Sequence, residues 1–216
     1  MPKPTHSMQN EVAPHKDEGT TLGFERIVFF SDAVIAIAIT LLVLDIRVPE
    51  TGGGSALDLG PRLLALWPKY LGWAVSFWVI ALYWVAHHRC YRYIERYDRR
   101  LMYLNFLFLM FIAFMPFPTT LLFTNGLQSA SVILYAGAAA GMGLSLAGVW
   151  LYAARHRFVS AEASPALIRQ VRTYLLLPPL MFVASAVLAL FNAEAAVFAW
   201  LLLIPSTSTA GITSEA

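Results

Sequence analysis

The chain alternates long hydrophobic stretches with short polar connections. A membrane-spanning helix needs about 20 mainly apolar residues. The pattern therefore predicts an all-α integral membrane protein with six transmembrane helices, at residues 27–46, 68–88, 101–123, 131–154, 174–191 and 195–212. The sixth stretch has the weakest pattern because Pro205 and a Ser/Thr run interrupt it. In the fifth, Pro178 and Pro179 are expected in an early helical turn, where a proline is tolerated better than in a helix interior.

The charges in the connections predict how the helices are oriented. The second and fourth connections, 87–100 and 155–172, are rich in arginine, whereas the third has no charge and the fifth has only Glu194. Because basic connections stay in the cytoplasm, we expect both termini to be cytoplasmic. Residues 1–25 are polar and predict a disordered cytoplasmic tail. The transmembrane domain is then expected at 26–212.

Composition narrows the class of protein. Hydrophobic residues make up 58% of the chain and charged residues 13%, whereas a soluble domain has about 25% charged residues. The net charge of +2 is too small to suggest a nucleic-acid partner. Cys90 is the only cysteine, so the chain has no internal disulfide or thiolate cluster. Nucleophile-elbow and His-Glu-x-x-His motifs are absent, so we expect neither an enzyme nor a cofactor or metal site.

Asp32 is an acid inside the first hydrophobic stretch, where an ionisable group is costly and marks a functional or a specific structural site. Arg26 is six residues away and lies on another helix face. A partner must therefore come from another helix. The candidates are Trp84, His87, His88 and Asn105. Asp32 is either a structural carboxylate bonded to a neighbouring helix or an ion or proton site, and the helical projection favours the structural role.

That helical projection groups three bulky residues of the first stretch. At about 100° per residue, Ile37, Leu41 and Leu44 fall within roughly 60° of one another. Thr40 lies beside them, and Asp32 lies roughly 140° from Ile37. A stripe of this kind faces lipid or the protein core in most helices. Repeated around an axis, it would instead line a pore with hydrophobic rings, which gate by dewetting.

The fourth stretch carries small residues at a spacing of four. They are Gly137, Gly141, Ser145 and Val149. Small residues at this spacing let two helices approach closely. The pattern predicts close packing, either within a subunit or between subunits.

A short motif at the start of the first stretch has the form Arg-x-x-x-Phe-Ser-Asp. It consists of Arg26, Phe30, Ser31 and Asp32. Together with the segments 44–49 and 104–118, it resembles the signature of the endolysosomal potassium channel family, in particular its bacterial members with one six-helix unit per subunit. The resemblance extends over most of residues 24–205.

The resemblance implies a homotetramer in the bilayer around a central pore that is lined by the first helix and passes potassium ions passively. The family has no carbonyl filter, and its constriction falls here on Ile37, Leu41 and Leu44, with Thr40 at the layer tied to selectivity for potassium over sodium. The four motif residues match the family's interhelical polar network. Such a channel is expected in the plasma membrane of a bacterium.

Asp45 lies near the expected outer mouth of the pore. It either concentrates cations there or is a solvated helix end. A proton-coupled or secondary cation transporter, with Asp32 and the histidines as a relay, is the alternative function, although no inverted repeat is evident. A structural scaffold without ion flux is the third possibility. The arginines cluster in connections, so no voltage-sensor helix is indicated, and the sequence does not indicate what opens the pore.

Overall fold

The structure is a computed structural model that describes residues 18–48 and 59–202. Its α-helices are α1 Glu18–Leu41, α2 Leu59–Ala65, α3 Trp67–Tyr93, α4 Arg99–Phe114, α5 Pro116–Thr124, α6 Ser129–Arg155, α7 Pro165–Leu188 and α8 Ala193–Phe198. Short 3₁₀ helices follow α1 at Leu42–Asp45 and α8 at Ala199–Leu202.

Within residues 18–48 and 59–202, five helical segments are long and apolar enough to cross a bilayer. They are Leu22–Asp45, Trp67–Tyr93, Arg99–Thr124, Ser129–Arg155 and Pro165–Leu188. The prediction of an all-α membrane protein is confirmed, as are its first five hydrophobic stretches. Of the sixth stretch, the described residues belong to α8 and the following 3₁₀ helix. The remainder lies outside the described residues, so a sixth span stays a prediction.

The first helix begins earlier than the sequence pattern indicates. Residues 18–25 were expected in the disordered tail, but they form the first turns of α1. The physical reason is packing on aromatic residues near the end of α3 and in the connection that follows it. Phe24 stacks on Tyr91 with ring centroids 5.7 Å apart, and the Tyr97 ring fills the space beside Gly23. Residues 1–17 lie outside the described residues.

Prolines divide the third membrane segment into two helices. α4 ends at Phe114, and α5 restarts at Pro116, whose missing N–H suits the first turn of a helix. The shorter helix α5 packs on α3 and on the 3₁₀ end of α1. The 3₁₀ end of α1 is therefore held by α3 and α5, and α1 itself by α3 and α4.

The expectation that Pro178 and Pro179 belong to an early turn is wrong. α7 begins at Pro165, after Ser164 caps it by accepting a backbone N–H, so the two prolines lie in the helix interior. Pro179 packs beside Gly143 of α6, where the missing side chain leaves room for the ring. This close contact between helices offsets part of the cost of an interior proline.

α6 is the central helix of the fold. It packs on α4, α5 and α7, and its large side chains such as Tyr135 and Trp150 are fully buried. At two positions the small residues of α6 face partners in the same subunit. Gly141 lies against the Phe111 ring of α4, and Gly143 lies between α3 and α7. The predicted close packing therefore occurs within the subunit at these positions.

The arginine-rich connections meet at one end of the bundle. An antiparallel bridge joins Ile94 to Val159, and the Glu95 N–H donates to the Phe158 carbonyl oxygen at 2.9 Å. This pairing fixes the α3–α4 connection to the α6–α7 connection. We call this end, where α3 and α6 finish and α4 and α7 begin, the basic end.

Asp98 caps α4 at the basic end. Its carboxylate accepts from the Leu101 N–H at 2.8 Å and from the Tyr152 Oη of α6 at 2.5 Å. Burial alone would raise the pKa of Asp98, but these hydrogen bonds outweigh it and hold the pKa below its ordinary value. The carboxylate therefore stays charged near neutral pH and ties α4 to α6.

Candidate pore helix

The residues predicted to share one face of α1 do share it. Ile37, Leu41 and Leu44 are 58%, 43% and 59% exposed in the single subunit, and Thr40 is exposed beside them. The opposite face is buried against α3 and α4 through Ile35 and other apolar side chains. We call the exposed side of α1 from Ile37 to Leu44 the outward stripe.

The end of the outward stripe is wound more tightly than the sequence indicates. The chain changes from α-helix to 3₁₀ helix after Leu41. A 3₁₀ helix has about three residues per turn, so residues three apart lie above one another. Leu44 is therefore placed more directly over Leu41 than a continuous α-helix would place it.

The outward stripe borders a shallow groove between α1 and α4. The groove has a volume of about 130 Å³ and is lined by Val34, Ile37, Ala38, Leu41 and Ala113. Every lining side chain is apolar, so the groove offers no side-chain ligand for an ion. It is a surface for other apolar groups, such as lipid chains or a second helix.

Thr40 is the single hydroxyl of the outward stripe. Its Oγ1 donates to the backbone carbonyl oxygen of Ile37 at 2.8 Å. The hydroxyl hydrogen is thus used within the helix, and the oxygen keeps its lone pairs on the exposed side. An oxygen in this state accepts hydrogen bonds from water or coordinates a cation.

A buried chain of hydrogen bonds links three helices behind the stripe. Ser31 Oγ donates to the Ile27 carbonyl oxygen at 2.8 Å and accepts from Asn105 Nδ2 of α4 at 2.9 Å. His87 Nε2 of α3 donates to Asn105 Oδ1 at 3.0 Å, because an amide oxygen can only accept. Ser31, His87 and Asn105 are all fully buried. We call these three residues the buried polar chain.

His87 occupies an aromatic sandwich within that chain. Its ring stacks on Tyr91 at 4.2 Å and on Phe108 at 5.3 Å between centroids. Its Nδ1 has no hydrogen-bond partner within the described part of the chain. The histidine therefore holds helices together, and no carboxylate among the described residues is hydrogen-bonded to it.

Asp32 faces a different partner from its neighbour Ser31. Trp84 Nε1 of α3 donates to Asp32 Oδ1 at 2.8 Å. Trp84 was one of the four side chains considered from the sequence, whereas His87 and Asn105 bond to each other and to Ser31. Consecutive residues of α1 thus attach it to two neighbouring helices.

Phe30 and Arg26, the other two motif residues, lie on the surface of the subunit. The Phe30 ring is 52% exposed and meets the edge of Phe106 of α4, with centroids 5.9 Å apart. Arg26 is exposed, and no carboxylate among residues 18–48 and 59–202 pairs with it. The four motif residues therefore do not form one closed cluster within a single subunit.

Asp45 is hydrogen-bonded to α5. Its Oδ2 accepts from the Thr120 hydroxyl, and its half-buried side chain borders a small pocket that also includes Lys69 and Trp73. The carboxylate is therefore turned towards α5. Thr120 was not predicted as its partner, because it lies beyond the α4–α5 break and no local pattern connects the two positions.

Comparison with known proteins identifies the family. A family model described as the endosomal/lysosomal potassium channel TMEM175 matches residues 26–116. Potassium channel B446_29190 of Streptomyces collinus is 40% identical over 147 residues, which are 65% of this chain and 70% of that protein. This chain belongs to the TMEM175 family.

Two further relatives extend the match. Potassium channel Cha6605_3372 of Chamaesiphon minutus is 41% identical over 132 residues, which are 60% of this chain and 65% of that protein. The crystal structure of a lysosomal potassium-selective channel TMEM175 homologue from the same organism covers 86% of this chain and 96% of its own, at 31% identity and a TM-score of 0.75. TMEM175 is a family of ion channels and not of enzymes. The matched region from 26 to 116 contains α1 from residue 26 onward and the partners of Ser31 and Asp32.

Proposed function

We propose that the chain is the subunit of a potassium-selective, leak-like channel. Four copies surround a central pore lined by α1, in the plasma membrane of a bacterium. The outward stripe is the main support for this proposal. One side of α1 packs on its own subunit, and the other side exposes Ile37, Leu41 and Leu44 at the subunit surface. The names of the TMEM175 relatives as potassium channels support the choice of ion.

The hydrophobic side chains of the stripe form the constriction of the proposed pore. A ring of Ile37 from each subunit is its narrowest level, with Leu41 and Leu44 forming the next rings. Water leaves a narrow apolar constriction spontaneously, so the ring blocks ions until it widens enough to become wet. Potassium sheds its weakly held hydration water more easily than sodium.

Thr40 supplies the polar layer between these rings. Its hydroxyl hydrogen is bound to the Ile37 carbonyl, so a ring of Thr40 oxygens turns lone pairs towards the pore axis. These oxygens replace part of the water that a passing potassium ion loses. The free lone pairs support this role, and the apolar neighbours of Thr40 offer the ion no competing ligand.

The motif residues support the pore helix from behind. Ser31 and Asp32 attach α1 to α4 and α3. Phe30 and Arg26 lie on the exposed side, where they are available to a neighbouring subunit. Their proposed role is to join subunits, and that of Ser31 and Asp32 is to join helices.

The proposed orientation places the basic end in the cytoplasm. Both termini are then cytoplasmic if a sixth span follows α7, and residues 1–17 form a cytoplasmic tail. Arginine-rich connections remain on that side of a membrane. Asp45 then lies at the outer mouth, where its charge raises the local concentration of cations while its bond to Thr120 fixes the 3₁₀ end.

The reversal potential of the purified chain in liposome patches tests the channel. With potassium on one side and sodium on the other, we expect unitary currents that reverse close to the potassium equilibrium potential. Flux that appears only under a proton gradient, at carrier rates and without unitary currents, would establish the transporter instead. If no ion flux is detected, the protein is a structural scaffold and neither a channel nor a transporter.

Substitution of Ile37 tests the constriction. We expect Ile37→Asn to raise the closed-state current at least about tenfold, because a polar ring stays wet. Leu180→Asn on α7 is the matched control, since Leu180 is 56% exposed and Ile37 is 58% exposed. An unchanged current in Ile37→Asn, or an equal rise in both variants, contradicts the assignment of the gate.

A further inference from the structure

The hydroxyl of Ser76 on α3 is bonded to two other helices. By contrast, the hydroxyls of Ser31 and Ser145 donate to carbonyl oxygens of their own helices, at 2.8 and 2.6 Å. Ser76 Oγ is hydrogen-bonded to Tyr135 Oη of α6 at 3.1 Å and accepts from Thr119 Oγ1 of α5 at 2.9 Å. All three side chains are buried. One serine hydroxyl therefore connects α3, α5 and α6.

α3 and α5 also touch one turn away from this junction. Gly72 lies four residues before Ser76, and Phe123 lies four residues after Thr119, so each pair shares a helix face. The Phe123 ring fills the space beside Gly72 that a Cβ would otherwise occupy. The two helices are thus packed together at two successive levels. A rotation of α5 about its axis would break both contacts.

α5 carries the residue that holds the 3₁₀ end of α1. Thr120 follows Thr119 directly, about 100° further round the helix. Thr119 faces Ser76 of α3, whereas the Thr120 hydroxyl is hydrogen-bonded to Asp45. Because α5 is a single helix of nine residues, the rotation that places one hydroxyl also places the other.

The position of the Asp45 carboxylate matters because a cation borders the same pocket. The pocket has a volume of about 20 Å³, enough for one water molecule, and Lys69 of α3 is among its lining residues. Asp45 is bonded to Thr120 and is not ion-paired with Lys69. Loss of the bond to Thr120 frees the carboxylate to approach the ammonium group. Opposite charges that approach one another offset each other's field, so the negative potential outside the pocket would fall.

We propose that Ser76 is a positioning residue for the outer mouth of the pore, where it acts through α5 on Asp45. The inference rests on the proposed channel function. Ser76 sets the rotation of α5 against the buried core, and Thr120 then holds the Asp45 carboxylate away from Lys69. In that position the carboxylate attracts cations to the mouth.

The unitary conductance of Ser76→Ala tests this role. The field of a fixed charge extends about 30 Å in 10 mM salt and about 3 Å in 1 M salt. We therefore expect Ser76→Ala to lower the conductance about twofold in roughly 10 mM potassium and by less than about a tenth in 1 M potassium. In an Asp45→Asn background, where the charge is absent, Ser76→Ala should have no further effect.

Ser145→Ala is the matched control for the loss of a buried serine hydroxyl. Ser145 is buried on α6, and its hydroxyl bonds only to carbonyl oxygens of its own helix. We expect its conductance to match that of the unsubstituted chain at both salt concentrations. Tyr135→Phe removes the hydroxyl partner of Ser76 on α6 and should change the conductance in the same direction as Ser76→Ala.

Amide hydrogen exchange measures the same link without ion flux. In the purified full chain, we expect Ser76→Ala to speed exchange at least about fivefold in residues 42–46 and 116–124, because both segments lose a fixed neighbour. Tyr135→Phe should speed exchange in the same segments. Ser145→Ala should leave both segments unchanged.

Three results would overturn the proposal. Equally faster exchange in Ser76→Ala and Ser145→Ala would mean a general loss of stability. An equal loss of conductance with and without the Asp45 charge would mean that Ser76 acts by another route. Unchanged exchange in Ser76→Ala would mean that α5 is held without it. Absence of unitary currents in the unsubstituted chain would instead contradict the channel function, and the exchange rates would still decide whether Ser76 holds the 3₁₀ end.

Discussion

Thr40 illustrates how the role of a residue depends on where its helix lies. Its hydroxyl donates to the carbonyl oxygen three residues earlier, a local contact that any helical threonine can make. Thr173 of α7 makes the equivalent contact to the Arg169 carbonyl oxygen four residues earlier, at 3.1 Å. Both threonines are exposed. What distinguishes Thr40 is its place within the outward stripe.

The two threonines therefore form a matched pair for a test of selectivity. We expect Thr40→Ala to reduce the permeability ratio of potassium over sodium about tenfold, a loss of about 1.4 kcal/mol of discrimination. Thr173→Ala removes a similar hydroxyl and should leave the ratio unchanged. The reversal potential under mixed potassium and sodium conditions measures both. An unaltered value for Thr40→Ala removes Thr40 from the selectivity layer.

At the scale of elements, α1 is held by polar contacts on one side and is free on the other. Ser31 and Asp32 bond to α4 and α3, and Asp45 bonds to α5 at the 3₁₀ end of α1. Polar contacts of this kind are directional, so they fix the rotation of the helix about its axis as well as its position. The rotation determines that Ile37 and Thr40 face outward.

Variants that remove either the Asp32 carboxylate or its Trp84 donor test the attachment of α1 to α3. We expect Asp32→Ala to lower the yield of assembled oligomer more than the unitary conductance, since one of the three polar contacts that fix the rotation of α1 is lost. Trp84→Phe removes only the Nε1 donor, and we expect a cost of about 2 kcal/mol in stability, typical of a hydrogen bond to a charged group. Size-exclusion chromatography and single-channel recording measure the two effects. Normal assembly with altered ion preference would make Asp32 an ion site.

At the scale of the whole molecule, charge and helix packing divide the bundle into two ends. The basic end is joined by the bridge between Ile94 and Val159 and by Asp98. At the opposite end, the turn between α5 and α6 carries Asn125 and has no charged residue from 124 to 130. This asymmetry predicts that the basic end faces the cytoplasm.

Single-cysteine labelling tests that orientation. Cys90 is fully buried and can be replaced by alanine to give a cysteine-free background. In that background we expect Asn125→Cys to react with a membrane-impermeant maleimide on intact cells. Arg96→Cys, on the exposed connection at the basic end, should react only after lysis. The reverse pattern would invert the proposed topology.

Two of the sequence-based predictions are wrong for the same physical reason. A hydrophobic pattern does not show that Phe24 packs on Tyr91, so it placed the start of α1 too late. It does not show that Gly143 makes room for Pro179, so it placed the two prolines too near the helix start. Both are tertiary contacts between distant parts of the chain. Local propensity was outweighed by packing in each case.

The sequence by itself determined the first five hydrophobic segments and the outward stripe. Each follows from local rules, because a bilayer requires an apolar length in one segment and a helix brings residues three and four apart to one face. Only the tertiary structure decided which partner each polar group takes. Ser31 meets Asn105, Asp32 meets Trp84 and Asp45 meets Thr120. These pairs are far apart in the chain, so their choice depends on how the helices pack and on which donor comes within hydrogen-bond distance.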